Sequence, residues 1–243
     1  MNDDSSNLSF SLEEPGSYRL KIESEQTALQ ALRQMTQQKM SQAELKNILQ
    51  KGAVWLTHQT HTTRIRRAKR LLKPGDTLHL YYNPAVLNED LSEFPVLPTC
   101  LADLGSYSVW YKPKGMRSQG SKWGDFNALY RWVERHDAQQ RPAFIIHRLD
   151  RMTDGILLLA HRKKTAQQLT AQFEKRETEK RYLAWVKGKF PENPTTCDTP
   201  LDGKEAISHF QRIRYDDKLQ QSLIDIKIDT GRKHQIRRHL QML

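Results

Sequence analysis

Apolar residues recur along this chain at two periods, and the changes of period mark its elements. Ala28, Leu32 and Met35 fall at helical spacing and predict a helix over Thr27 to Met35. A second helix is predicted from Ser41, with Glu44 three residues on as a capping box. Leu45, Ile48 and Leu49 form its apolar face, and Gly52 fits its stop. Short apolar or alternating runs predict strands at Tyr18–Glu23, Ala53–Thr57, Thr77–Tyr82 and Tyr107–Tyr111. Leu129, Trp132 and Val133 return to helical spacing within Phe126–His136. The five apolar residues after Gly155 are too few for a helix and read as a buried strand. Thr165, with Gln168 three on, predicts the N-cap of a helix carrying Ala166, Leu169 and Phe173. Strands follow at Arg181–Val186, Ile207–Arg214 and Ser222–Ile228, the last alternating cleanly. Thr230 opens a turn that leads into a basic terminal helix. The expected fold is α+β: a mixed, largely antiparallel sheet with flanking helices, preceded by a small α/β module.

Composition divides the chain further. Residues 1–17 carry no basic side chain and read as a mobile tail. Residues 18–83 form the small module. Residues 84–104 hold Pro84, Pro95 and Pro98 with several acids and no Lys or Arg, which predicts an extended linker. Residues 105–243 make the second domain. The formal net charge of +11 on 243 residues points to a polyanionic partner, with nucleic acid first. No stretch is apolar enough to span a membrane, and the acidic, polar N-terminus is no signal peptide. Cys100 and Cys197 form no CxxC and read as free thiols in a reducing cytoplasm.

Between Lys51 and Leu80 seven basic side chains face one acidic residue, Asp76. Arg64, Arg66, Arg67, Lys69, Arg70 and Lys73 are the candidates for RNA contact. The order of two helices, a strand, this basic stretch, the Lys73-Pro-Gly-Asp76 turn and a closing strand resembles the alpha-L RNA-binding fold. Gly115 to Lys122 nearly spells a phosphate-binding loop, but the order Gly-Ser-Lys is wrong for it. His58 and His61 have no further ligand set, so no metal is expected.

Residues 145–160 set His147, Arg148, Asp150, Arg151, Thr153 and Asp154 on a loop before the Gly155 strand. Rigid scaffolds commonly present functional groups on such loops. A lone aspartate there is usually a turn former, so its neighbours in sequence decide. His147-Arg-Leu-Asp-Arg-Met-Thr-Asp-Gly155 resembles the HRLDxxTSG signature of the RluA-type pseudouridine synthases. Lys112-Pro-Lys-Gly115 resembles that family's KPxG, Glu179-Lys-Arg-Tyr182-Leu-Ala184 its KxYxA strand, and Thr230–Leu240 its GRxHQIRxHL segment.

The resemblance implies isomerisation of uridine in RNA to pseudouridine, without a cofactor. It assigns Asp150 to the ribose, either attacking C1′ or taking a proton from C2′. It makes Arg237 the ion-pair partner of Asp150 and Tyr182 the ring under the flipped uracil. Arg148 fills the vacated space or holds phosphate. Leu240 lies near the pocket, and His147, Arg232 and Lys112 stand with substrate binding. The expected partner is structured RNA, ribosomal RNA ahead of tRNA, and the expected protein is a cytoplasmic monomer. A non-catalytic RNA-binding protein, or an inactive remnant of the same fold, is the alternative.

This chain departs from the family pattern at three places. Asp154 replaces a serine, Ser118-Gln119-Gly120 stands where a proline is usual, and the chain stops at Leu243, before the family's usual Gly-His-Pro segment. It therefore reads as either naturally short or a fragment.

Overall fold

The computed structural model describes residues 10–89 and 96–243. Parts of the expected tail and linker, residues 1–9 and 90–95, lie outside the described residues. The chain divides into two compact units, Met1–Ala166 and Gln167–Leu243.

The first unit opens with β1 (Gly16–Lys21), β2 (Gln26–Thr27), α1 (Ala28–Met35), α2 (Gln42–Lys51), β3 (Val54–His58), β4 (His61–Arg64), β5 (Leu71–Leu72) and β6 (Thr77–Tyr82). An antiparallel sheet of order β1-β6-β3-β4 forms here, with a small β2-β5 ladder. Ser41 makes a full capping box and Gly52 closes α2 in the left-handed conformation, as the sequence predicts, and Thr27 makes a second capping box with Gln30. One sheet face buries Leu56, Leu78 and Leu80 with Leu32, Leu45 and Leu49 of the helices. Phe10 corrects the tail expectation. It is buried between the rings of Tyr18 and Tyr82, and Lys39 Nζ donates to its carbonyl at 2.7 Å. With bonds from Ser11 N to the Tyr18 hydroxyl and from the Tyr82 hydroxyl to Leu12 O, the Phe10 ring seats residues 10–12 on the core.

The stretch expected as a linker is structured at both ends. A turn of helix, α3 (Pro84–Leu87), is capped by Asn83, and β7 (Thr99–Asp103) pairs with β8 (Tyr107–Lys112). Four of β7's five residues are exposed, so it carries none of the alternation by which a strand is recognised. Then come α4 (Leu129–His136), β9 (Phe144–Ile145) and β10 (Gly155–Ala160), giving an antiparallel sheet of order β7-β8-β10-β9. Leu157 and Leu159 of β10 pack on Trp110, Leu129 and Val133, while Ile156 points outward. The apolar run is thus a half-buried strand.

The division between units falls inside α5 (Lys163–Glu174). This helix begins two residues before Thr165, with Ala166 N donating to Arg162 O. Thr165 is therefore not its cap. Lys163 and Lys164, which precede the expected cap, are good helix formers and extend the helix to Lys163.

The second unit holds β11 (Lys180–Lys187), β12 (Thr195–Cys197), β13 (Ser208–Asp216), β14 (Gln221–Ile228) and α6 (Gln235–Met242). Its sheet is antiparallel throughout, in the order β11-β14-β13-β12. Phe210, Ile224, Ile226 and Ile228 form its core. Both cysteines are free, Cys100 exposed and Cys197 buried. The α+β, largely antiparallel class expected from the sequence is the one observed.

Candidate active site and nucleic-acid interface

The loop bearing Asp150 is fastened along its length. His147 Nε2 accepts from the Leu158 amide of β10 at 3.1 Å, so that ring nitrogen carries no proton. Ser118 binds Leu149 twice: its hydroxyl donates to the Leu149 carbonyl at 2.8 Å and accepts from the Leu149 amide at 2.9 Å. Gly115 N donates to Arg151 O at 2.8 Å, and Thr153 N to Asp150 O at 3.1 Å. Glu89 accepts from Arg117 and Asn127 and forms an ion pair with Arg151, tying the end of α3 to the same loop. Asp150 sits half-buried at the centre of this frame and Arg148 is exposed beside it. Ser118, one of the departures from the family pattern, is thus a clip.

Lys112 lies beneath that loop and not at an open surface. Its side chain is fully buried, and Nζ donates to the carbonyls of Pro113 at 3.0 Å, Met116 at 2.8 Å and Arg151 at 3.4 Å. The expectation that it meets substrate does not fit this placement, since its donors are spent on the backbone. Burial brings its ammonium down to about 8, while the charges of Asp154 and Asp150 act the other way. It remains largely protonated at neutral pH, a cation behind two carboxylates. Asp154 accepts from the Tyr111 hydroxyl at 2.8 Å, and this bond, with burial and the carboxylate charge, raises the phenol. The second carboxylate therefore has a donor of its own.

The other candidates belong to the second unit. Tyr182 points to the inner face of β11, and Leu240 of α6 packs on the same apolar cluster. The sequence places them 58 residues apart and the fold brings both to one core. α6 is oriented by two buried polar side chains one turn apart, Gln235 and His239. Gln235 uses all its bonding capacity: Oε1 accepts from Thr230 Oγ1 and Arg232 N, while Nε2 donates to Ile207 O and Ser208 Oγ. Ser208 Oγ in turn bonds His239 Nδ1 at 3.0 Å, and His239 Nε2 donates to Thr199 O at 3.0 Å. With that face fixed, Arg237 is left exposed. Arg232 is partly buried, its Nε donating to Glu205 O at 2.8 Å.

The basic stretch of the module divides into two groups. Arg67, Lys69, Arg70 and Lys73 are exposed. Their loop is held where Ala28 N donates to Arg70 O and Leu29 N to Ala68 O, at the start of α1. Arg64 and Arg66 are committed elsewhere. Both pair with Asp125, whose side chain is only 1% exposed. Arg66 Nη1 also donates to Gln50 O, Arg64 Nη2 to Ser121 O, and the Tyr130 hydroxyl to Asp125. Burial pushes the Asp125 carboxyl up, but hydrogen bonds from Arg66 and Tyr130 and the two guanidinium charges outweigh it and hold it low. A Cβ at Gly52 would collide with Asp125 Oδ1 and come within 2.6 Å of Arg66 Nη1. The expected RNA role of Arg64 and Arg66 thus gives way to an internal clamp. Asp125 carries no local signal of this, since its partner Arg66 lies 59 residues away.

Among the described residues no three His, Cys, Asp or Glu side chains group as a metal site, and His58 bonds Asp76 at 2.6 Å. No described helix is long and apolar enough to cross a membrane.

A family model described as RNA pseudouridylate synthase matches residues 106–242. A protein of Aquifex aeolicus described as an uncharacterized RNA pseudouridine synthase is 27% identical over 241 residues, covering 90% of this chain and 74% of that protein. The tRNA pseudouridine synthase C of Haemophilus ducreyi is 31% identical over 156 residues, covering 54% of this chain and 64% of its own. Several eukaryotic relatives are matched over a third or less of their length. The solved structure of human RNA pseudouridylate synthase domain containing 1 shares the fold, with a TM-score of 0.50 at 20% identity over 60% of this chain and 65% of that one.

Proposed function

The chain belongs to the RNA pseudouridylate synthase family, and on that premise we propose that it converts uridine in structured RNA to pseudouridine through Asp150. In this reaction the bond from C1′ to N1 breaks, the uracil turns, and C5 bonds to C1′. C5 then loses its proton, and N1 gains one. A carboxylate suits the positive charge that develops at C1′. The observation that carries the proposal is the mounting of Asp150. Its loop is clipped on both sides by Ser118 and His147, with the Lys112 ammonium behind it. Either role at the ribose uses the carboxylate oxygens as the anion. In the same reading Arg237 pairs with Asp150, Tyr182 stacks on the extruded uracil, and Arg148 contacts the RNA where the base has left.

The module is the second part of the proposal. Arg67, Lys69, Arg70 and Lys73 would meet phosphates of a folded RNA, and a basic module of this kind supports ribosomal RNA as the substrate. The deciding experiment uses ribosomal RNA and tRNA labelled with tritium at uracil C5. Release of label by the wild type, and not by Asp150→Asn, is the expected result. No release from either RNA would overturn the catalytic reading and leave the non-catalytic one; release from tRNA alone would overturn the ribosomal choice. Replacing Arg67, Lys69, Arg70 and Lys73 by Ala should weaken RNA binding and flatten its dependence on salt by about 0.9 in log–log slope for each duplex phosphate no longer neutralised. An unchanged slope would remove the module from the interface.

A further inference from the structure

The sheet of the module has a second face, away from the Asp150 loop and sharing only Arg64 with the Asp125 clamp. Its inner face covers the core, so the alternate residues of β1, β6, β3 and β4 point away from it. Register sets them in rows: Arg19 stands opposite His79, His79 opposite Trp55, and Trp55 opposite Arg64. Lys21 lies one row along, opposite Thr77. Tyr81 follows His79 on β6 and stacks with it, with ring centroids 6.3 Å and planes 6° apart. No outward side chain on these four strands is acidic. At one end the loop after β8 closes over the face. Trp55 Nε1 donates to Lys122 O at 3.1 Å, and Lys122 Nζ lies 4.9 Å from the ring centres of both Tyr81 and Trp123. At the other end Arg19 and Lys21 are exposed.

Aromatic rings set along a basic face whose own strands present no carboxylate match the needs of a single strand of RNA, whose bases have open π-faces and whose backbone carries a charge at every step. A folded duplex would use the cations and leave the rings idle. We propose that this face binds a single-stranded stretch of the substrate RNA, with Tyr81 and His79 under its bases and Arg19, Lys21 and Lys122 on its phosphates. The inference rests on the RNA reading above and adds a second binding surface, separate from the loop of Arg67 to Lys73.

The test measures binding and not turnover. The full chain is titrated with a fluorescent oligouridylate of about 12 nucleotides at several salt concentrations. Tyr81→Ala should weaken binding roughly tenfold with little change in salt slope, the signature of a missing stacking partner. Tyr81→Phe keeps the ring and should bind as the wild type does. The pair Arg19→Ala and Lys21→Ala, both at exposed positions, should flatten the slope by about 0.7 for each phosphate no longer neutralised. Thermal melts establish that the variants are folded. Affinity and slope unchanged in both sets would overturn the proposal and leave the face to a protein partner. Wild type that binds the oligonucleotide through these residues but forms no pseudouridine would sink the activity and leave this inference standing. Wild type that forms pseudouridine while the variants bind normally would do the reverse.

Discussion

Asp125 and Asp150 are carboxylates of one compact unit placed in opposite circumstances. Asp125 is closed off from solvent and turned on two guanidinium groups and a phenol. Asp150 is half-buried on a loop whose backbone and neighbours carry the fastening bonds: Ser118 to Leu149, His147 to Leu158, Gly115 to Arg151. The first spends its charge on the fold. The second stands on a loop fastened by bonds that its neighbours make, and Lys112 beneath that loop is itself held by backbone carbonyls. The bonds of Asp125 are thus accounted for by the fold, while the fastening around Asp150 holds a loop.

Variants can break this contrast. The largest effect is expected for Asp150→Asn, which should lower pseudouridine formation by on the order of 10⁴-fold while leaving the urea midpoint near that of wild type. A large loss of stability would mean that Asp150 is structural after all. Asp125→Ala should do the converse. It strands Arg64 and Arg66 without their anion and should cost about 3–5 kcal/mol of unfolding free energy, read from urea denaturation. Where enough protein stays folded, turnover per folded molecule should fall far less than in Asp150→Asn.

Ser118→Ala tests the clip. It removes a donor and an acceptor from the Leu149 backbone and should cost about 1–3 kcal/mol, with a fall in kcat larger than any rise in KM. Equal stability and equal kcat would show that the loop holds itself.

The smallest effect concerns the Arg141 tie between Asp103 of β7 and Asp137 at the end of α4. Hydrogen bonds from Arg141 hold both carboxyls down to about 2. Unfolded aspartate titrates at about 3.9. The stabilisation is therefore complete above that value and disappears as pH falls through about 2. Between these limits the wild type should lose stability more steeply than Arg141→Met, and parallel pH profiles would refute the tie.

The contrast also explains what the sequence could and could not disclose. The helices capped at Thr27 and Ser41, the Thr77–Tyr82 strand and the Gly155 strand were legible because each is written in a local period or cap. The candidate residues were legible only as motifs, because spacing alone does not separate Asp150 from its charged neighbours. Arg64 and Arg66 looked like nucleic-acid contacts because a basic run does not reveal a carboxylate 59 residues downstream of Arg66. Lys112 looked like a substrate contact because nothing local shows that three carbonyls surround its Nζ. β7 was hidden inside a proline-rich stretch because an exposed edge strand has no apolar face to announce it. The failures at Arg64 and Arg66 involve a partner distant in sequence, that at β7 comes from exposure, and each success is local.

Gly52 lets the Asp125 clamp close, and that fixes where the protein can be dissected. The stretch from residue 84 to 104 looks like the natural cleavage point between residues 18–83 and residues 105–243. A cut there would sever a carboxylate from its two arginines and open a seam packed too closely to admit a methyl group at position 52. Grafting the module onto another scaffold would fail for the same reason unless Asp125 and its loop travelled with it. In evolutionary terms the piece that can be exchanged runs past the prolines, and its boundary is an ion pair.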